Sequence, residues 1–475
     1  MKIKTGLSVL VIGLSAFLRF CNLGYSEYIP DEVAVLWPLR DTETHYSIDY
    51  LLGQRKGPVQ YLVTLVTFFV SRNVYNEFVM RVPFAVASVL AIYFFYKFAY
   101  EETKNYWIGL ISALVLGANG FILAFGRIVQ YQSLNLLFSS IVLYLFAKKK
   151  FVGGTLAFCL SFLAHWDAIF ILPVLTYLFI QNFDKKALLK CLGVGLLVLG
   201  PFMIPYTAKY FSSAESQAYA SSRVGISVLG FSEKFVDYTF KTELYNPFIY
   251  IWFISFATLF AVFSIKRNWI YFVWFFSTLV IFLIFIHKPG THVYNFFLPL
   301  SLLSGIGVWN VINVFPKWSK VFPGAILCIS LGFLYYQSYV IFVDNVVEYP
   351  WQQEKFTFRE NIYKTKSYSH ENLTNNIIGF PLRRNWEEIN GFLVAENTNY
   401  AYITNEVKSI AGFYIDLKYA ENLEPPYYAV GVKRPLSFVK DYKFSQIKGK
   451  YTIKKIQDKN DDTLVRIYLV GSDEK

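Results

Sequence analysis

Charge is scarce in this chain. Only 16% of its residues are Asp, Glu, Lys or Arg, while 55% are hydrophobic. A soluble domain of this size balances its apolar content with more charge, so an ordinary water-soluble fold is excluded. Cysteine is scarce too. Cys21, Cys159, Cys191 and Cys328 are the only four, and their spacing fits neither a zinc site nor a disulfide framework. Three lie in apolar runs and Cys21 ends one, so cysteine usage is silent on redox compartment. There is no P-loop, dinucleotide fingerprint or zincin motif, and no internal repeat of the kind transporters carry. The formal net charge is +12, but no basic stripe with interleaved aromatics accompanies it, so nucleic acid is not an expected partner.

Aromatic residues are abundant instead: 20% of the chain, with 47 Phe and 36 Tyr. Amphipathic rings of this number are favoured at a membrane interface. A span needs about 20 apolar residues, and runs near 4–21, 79–99, 106–126, 131–147, 151–164, 166–181, 187–207, 247–265, 268–287, 293–314 and 322–342 qualify, eleven in all. The first could be a signal peptide. No small-x-small cleavage site follows it, only Arg19-Phe20-Cys21-Asn22, so it reads as a retained span. The pair 151–164 and 166–181 is short and meets at His165, as in a shallow hairpin. The run 58–70 is too short to span easily and reads as a helix lying at the interface.

The short loops test this count. With the N-terminus inside, Lys97 and Lys104, Lys148 to Lys150, Lys185, Lys186 and Lys190, Lys266 and Arg267, and Lys317 and Lys320 all fall on the inner side, as the positive-inside rule demands. The outer connections are then 22–78, 127–130, 208–246, 288–292 and everything after 342. Two domains are expected: a membrane part over 1–345, and an extracytoplasmic part over 346–475. In the latter, 376–440 alternates short apolar runs with turn signals, which predicts a small mixed α/β domain.

Chemistry-bearing residues collect in the outer connections. Asp31 and Glu32 follow the first span. Two carboxylates there can be merely solvated, or can bind a cation. They can also act as a general base that takes the proton of an attacking hydroxyl. Arg19, Arg55, Lys56, Arg81 and Arg127 also fall on the outer side, against the positive-inside bias. Snorkelling to headgroups is one explanation. An anionic ligand held at the outer leaflet is another, since guanidinium groups grip phosphate and cations stabilise a departing phosphate. His165 and Asp167 sit at the hairpin turn, and His287 and His292 flank Lys288-Pro289-Gly290. An ionisable residue at membrane depth is a site candidate by default. The lone sequon Asn372-Leu373-Thr374 adds little.

These residues, in this order, resemble the GT-C membrane glycosyltransferases, and most closely the dolichyl-phosphate-mannose protein mannosyltransferases and bacterial aminoarabinose transferases. Asp31-Glu32 resembles their Asp-Glu motif after the first span. Gly57-Pro58-Val59-Gln60-Tyr61 is similar to their Pro-Pro-hydrophobic-x-Tyr segment, with Gly57 in place of the first proline. Arg81-Val82-Pro83 matches their Arg-Leu-Pro entry to the second span. Arg127-Ile128-Val129-Gln130-Tyr131-Gln132-Ser133 resembles their Arg motif, and Tyr294 to Pro299 their late Tyr-x-x-x-hydrophobic-Pro. The likeness is best over 15–180, extends to 345, and gives no guidance beyond.

The resemblance implies a polytopic α-helical protein of about eleven spans. It implies an inverting glycosyltransferase that moves a hexosyl or pentosyl group from a polyprenyl-phosphate donor. The acceptor would be a protein, lipid or glycan on the outer face of the cell membrane. Asp31 would be the base and Glu32 its neighbour in the site. Arg81, Arg127, Lys56 and Arg55 would contact the donor phosphate, with Tyr131, His165, Asp167, His292 and Tyr294 close by. Some relatives use a divalent metal and others do not, so the resemblance leaves both states open. The alternatives are a transporter, disfavoured by the few mid-span charges, and a non-catalytic membrane scaffold, which leaves the outer cations unexplained.

Overall fold

The structure is a computed structural model. It describes residues 2–40, 47–54, 56–225, 245–246, 248–287, 290–346, 348, 378–422, 425–432, 435, 451–457 and 463–471. Every run read as a span is helical. The helices are α1 Lys2–Phe20, α2 Pro30–Arg40, α3 Ile48–Gly53, α4 Pro58–Ser71, α5 Glu77–Thr103, α6 Tyr106–Gly117, α7 Gly120–Phe125, α8 Tyr131–Ala147 and α9 Phe151–Ala164. A tight turn, Trp166–Ile171, then leads into α10 Leu172–Ile180, α11 Lys185–Ser212 and α12 Ala214–Arg223. Helices Phe248–Ala261, Ile265–Val280, Phe297–Val314 and Val321–Phe342 complete the bundle. Among the described residues, five helical stretches are long and apolar enough to cross a membrane: Glu77–Thr103, Lys185–Ser212, Phe253–Phe285, Thr291–Val314 and Lys317–Phe342. Six more apolar helices are shorter.

The single run 106–126 is two helices. Asn119 breaks it by capping α7, its side chain accepting from Ile122 N at 3.0 Å, which is the local bond that makes Asn a starter rather than an interior residue. Gly120 follows because a Cβ there would lie 1.8 Å from Tyr245 O, and its N–H donates to Asn246 Oδ1 at 2.7 Å. The turns at Lys104, Lys148 and Arg267 meet at one end of α5. Lys148 pairs with Glu101 at 2.6 Å, and Arg267 donates to Thr103 O at 3.4 Å. Arg81 lies near the other end of this helix of 27 residues, about 30 Å away at 1.5 Å per residue.

The C-terminal part is a four-stranded sheet in the order β1-β2-β4-β3. The strands are β1 Ala401–Thr404, β2 Tyr427–Val432, β3 Tyr451–Gln457 and β4 Thr463–Val470. Strands β1 and β2 are parallel, and the other pairs antiparallel. Helices Trp386–Glu396 and Lys408–Tyr414 accompany the sheet. The unit is docked on the 22–78 connection. Glu27 accepts from Arg384 N at 2.6 Å and Trp386 N at 2.8 Å, which places a carboxylate at the start of Trp386–Glu396, where the helix dipole favours it. Tyr414 donates to Glu77 at 2.8 Å and receives the N–H of Tyr28 at 2.8 Å. Arg40 meets Asp416 at 3.0 Å.

Candidate active site

Helix α2 begins where the sequence signals it. Pro30 occupies the first helical position, where its missing N–H costs nothing. Glu32 folds back to accept from Ile29 N at 3.1 Å, half of a capping box. This fold-back turns Glu32 inward while Asp31, one position earlier, faces out. Glu32 is fully buried. Its Oε1 accepts from Arg81 Nε and Val129 N, both at 2.8 Å, and its Oε2 from Arg81 Nη2 at 2.8 Å. A carboxylate with two oxygens offers about four acceptor positions, and here all four are filled. Asp31 is exposed, with no hydrogen bond or ion pair to the described residues.

Asp31 opens onto a cavity of about 550 Å³ that it shares with Lys56, Tyr131, Gln132, His165 and Trp166. Tyr206 and Tyr210 of α11, Arg223 at the end of α12, and Thr291 and His292 close the other side. Lys56 Nζ donates to Gln130 Oε1 at 3.1 Å and lies 5.9 Å over the Tyr131 ring. Burial lowers the Lys56 ammonium below its ordinary value, opposed by the negative charges of Asp31 and Glu32. Tyr131 stacks on His165 with ring centres 4.1 Å apart. His292 Nδ1 lies 2.9 Å from Asp167 Oδ2, His165 Nδ1 lies 3.0 Å from Asp167 Oδ1, and Tyr294 donates to Asp167 Oδ2 at 2.8 Å.

The sequence candidates Asp31, Lys56, Tyr131, His165 and His292 therefore meet at one cavity. The segment after α3 is held by Gly57 N donating to Ala164 O at 3.3 Å and by Gln60 Nε2 donating to Val129 O at 3.0 Å. Gly57 is the departure from the Pro-Pro pattern, and the packing explains it. A Cβ at this position would lie 1.7 Å from Leu163 O, and a proline would also lack the N–H that Ala164 receives.

Two arginines lie beside this cavity rather than in its wall. Arg81 spends its donors on Glu32 and on the carbonyls of Leu23, Ser26 and Glu27, at 3.1, 2.6 and 3.0 Å. Arg127 donates from Nη1 to Leu18 O at 2.7 Å and Cys21 O at 2.8 Å, and from Nη2 to Asn22 O at 3.1 Å. Leu18 O is an orphan carbonyl of the last turn of α1, and Cys21 and Asn22 lie in the turn just past it, so Arg127 pins that helix end. Arg19 is also buried, on Ser88 Oγ at 2.7 Å. Arg55 and Lys288 fall outside the described residues, as does the sequon at 372–374. His287 N donates to Arg223 O at 2.8 Å, which ties the cavity's far wall together.

The sequence reading missed Arg223, Tyr206 and Tyr210. Arg223 is one more cation in a connection read as outer. The logic applied to Arg81 and Arg127 reaches it equally. Tyr206 and Tyr210 are spaced i, i+4 on one helical face. Chemically, the cavity offers an exposed carboxylate and two cations among aromatic side chains. That suits an uncharged nucleophile which must lose a proton, beside an anionic group which must be held.

No protein-family model matches this chain, and no curated protein matches it. Among solved structures it is similar to ArnT from Cupriavidus metallidurans, in the apo state and bound to undecaprenyl phosphate. Each match has a TM-score of 0.56 at 12% identity and covers 98% of both chains. It is also similar to the oligosaccharyltransferase AglB from Archaeoglobus fulgidus, solved with an inhibitory peptide and a dolichol-phosphate. That match has a TM-score of 0.46 at 10% identity and covers 90% of this chain and 69% of that one. The ArnT match shows the fold: this chain is a largely helical, polytopic chain folded as ArnT is.

Proposed function

We propose that this chain is an inverting glycosyltransferase that moves a sugar from a polyprenyl-phosphate carrier to an acceptor on the outer face of the cell membrane. The observation that carries the reading is the Asp31 carboxylate, exposed and without a hydrogen bond or ion pair among the described residues, in a cavity with Lys56 and Arg223, in a fold shared with ArnT, which has been solved bound to undecaprenyl phosphate.

The reaction balances within that cavity. An acceptor oxygen attacks the anomeric carbon, and its proton passes to Asp31. The bond from that carbon to the phosphate oxygen breaks, and its electron pair leaves on the lipid phosphate. Lys56 and Arg223 stand beside the growing negative charge. Glu32 takes no proton in this scheme. With Arg81 it fixes the first turn of α2, and so fixes Asp31. Arg127 serves the same end by holding α1 against the loop of Val129 and Gln130. Arg55 joins the phosphate contacts in this reading, by its place next to Lys56 in the chain.

The test is direct. Membranes containing the chain, supplied with labelled polyprenyl-phosphate sugar, should yield labelled acceptor and free polyprenyl phosphate. Mass spectrometry of surface glycans with and without the chain then identifies sugar and acceptor. Unchanged surface glycans together with no consumption of any such donor would remove the reading.

A further inference from the structure

We infer that His165, Asp167 and His292 form a site for one divalent transition-metal ion, zinc-like in its preferences, in the wall of this cavity. The three side chains come from distant places. His165 ends α9 and Asp167 lies in the turn after it, while His292 is brought in from 125 residues away. Both histidines present Nδ1, and both meet the same carboxylate, one at each oxygen, at 3.0 and 2.9 Å. All three donor atoms lie within 4.8 Å of one another. Ligands at about 2.0–2.2 Å from a tetrahedral zinc stand roughly 3.3 Å apart, so small side-chain rotations suffice.

The hydrogen bonding favours a cation here. Asp167 is 1% exposed, and a buried carboxylate needs compensation. Asp167 N donates to His165 Nδ1 at 3.2 Å. A ring nitrogen that receives an N–H has no proton of its own to give. An Nδ1 in that form presents its lone pair as a metal ligand does, 3.0 Å from Asp167 Oδ1. Tyr294 O–H on Asp167 Oδ2 supplies the outer hydrogen bond that orients a ligating carboxylate. Two imidazoles and one carboxylate form a borderline donor set, suited to zinc, cobalt or iron rather than magnesium or calcium. Because His165 and His292 line the cavity, the remaining coordination position faces it. Three protein ligands with one open position make a site able to take an exogenous oxygen ligand, such as that of a phosphate.

The metal site stands on these side chains and not on the transferase reading. The two can fail separately. The full chain, purified in detergent and stripped with a chelator, is titrated with Co²⁺. One equivalent should bind, with the visible d–d absorption of a four- or five-coordinate ion, and Zn²⁺ should displace it. Tyr294→Phe should weaken binding by about 10–100-fold, and His292→Ala should weaken it further. No Co²⁺ uptake by monodisperse wild-type protein overturns the site, as does uptake undiminished in His292→Ala. Because wild type alone can decide, the test survives a variant that fails to fold. A metal-bound protein without transferase activity removes the function while the site stands, and an active protein that takes up no metal does the reverse.

Discussion

Arg81 meets Glu32 edge-on, with Nε and Nη2 each 2.8 Å from a different carboxylate oxygen. Both side chains are almost wholly buried. A bidentate pair of this kind is strong and directional, and removing one partner strands the other charge out of water. The adjacent acids Asp31 and Glu32 thus have separate tasks, one open to the cavity and one locked beneath it. Glu32→Gln should lower stability by about 3–5 kcal/mol through the stranded Arg81, while Asp31→Asn should leave stability within about 0.5 kcal/mol, as for a surface change. Thermal unfolding of both variants in detergent checks this. Equal melting temperatures would refute the division.

Gly57→Ala places a methyl group 1.7 Å from the carbonyl oxygen of Leu163. Backbone must move to make room, at a cost of about 1–3 kcal/mol or more, and the move displaces Lys56 and the His165 turn together. Both the melting temperature and donor turnover should fall. A variant with wild-type values for both would contradict the packing described here.

Lys56→Met keeps the side chain's length and removes its charge. If Lys56 sits beside the donor phosphate, transfer should fall by about 10²-fold or more, as for loss of one preorganised charge-stabilising group. The loss should appear in kcat/KM for the donor with the fold retained. Turnover within about twofold of wild type would exclude Lys56 from the phosphate contacts.

Glu27 gives a pH dependence whose sign follows from its burial. Desolvation pushes its carboxyl up to about 7, against the hydrogen bonds from the Trp386 and Arg384 amides and the charge of Arg384. In the unfolded chain it titrates near 4.5. The folded state binds the extra proton, so this group's contribution is fully present below about pH 4.5 and is lost as pH rises through about 7. The C-terminal domain should dock less firmly over that range. Melting temperatures followed from pH 5 to 8 should fall, and the Glu27→Gln variant should lose that part of the slope.

The sequence revealed much of this because the bilayer constrains it. Long apolar runs, lysine-bearing turns and the order of short motifs are one-dimensional signals, and the helices fall where those runs lie. The docking of the C-terminal domain was illegible, because Glu27 and Tyr414 act across hundreds of residues and no local pattern announces it. Arg81 and Arg127 show the limit within the site. Placement in the chain brings an arginine to the right level of the molecule, but whether its guanidinium faces a ligand or a helix end depends on which carbonyls the fold leaves orphaned. The cluster of His165, Asp167 and His292 lay in view as separate candidates. Its unity depends on the contact between the hairpin turn and the segment before Phe297–Val314, which sequence spacing does not encode.

The central claim is that Asp31 takes the acceptor's proton, and one comparison tests it most directly. Wild type and Asp31→Asn, purified side by side and matched for melting temperature, are given the same labelled polyprenyl-phosphate sugar and acceptor, and release of polyprenyl phosphate is timed. The account predicts a loss of about a hundredfold or more in the variant. Equal rates from two equally stable proteins would contradict it.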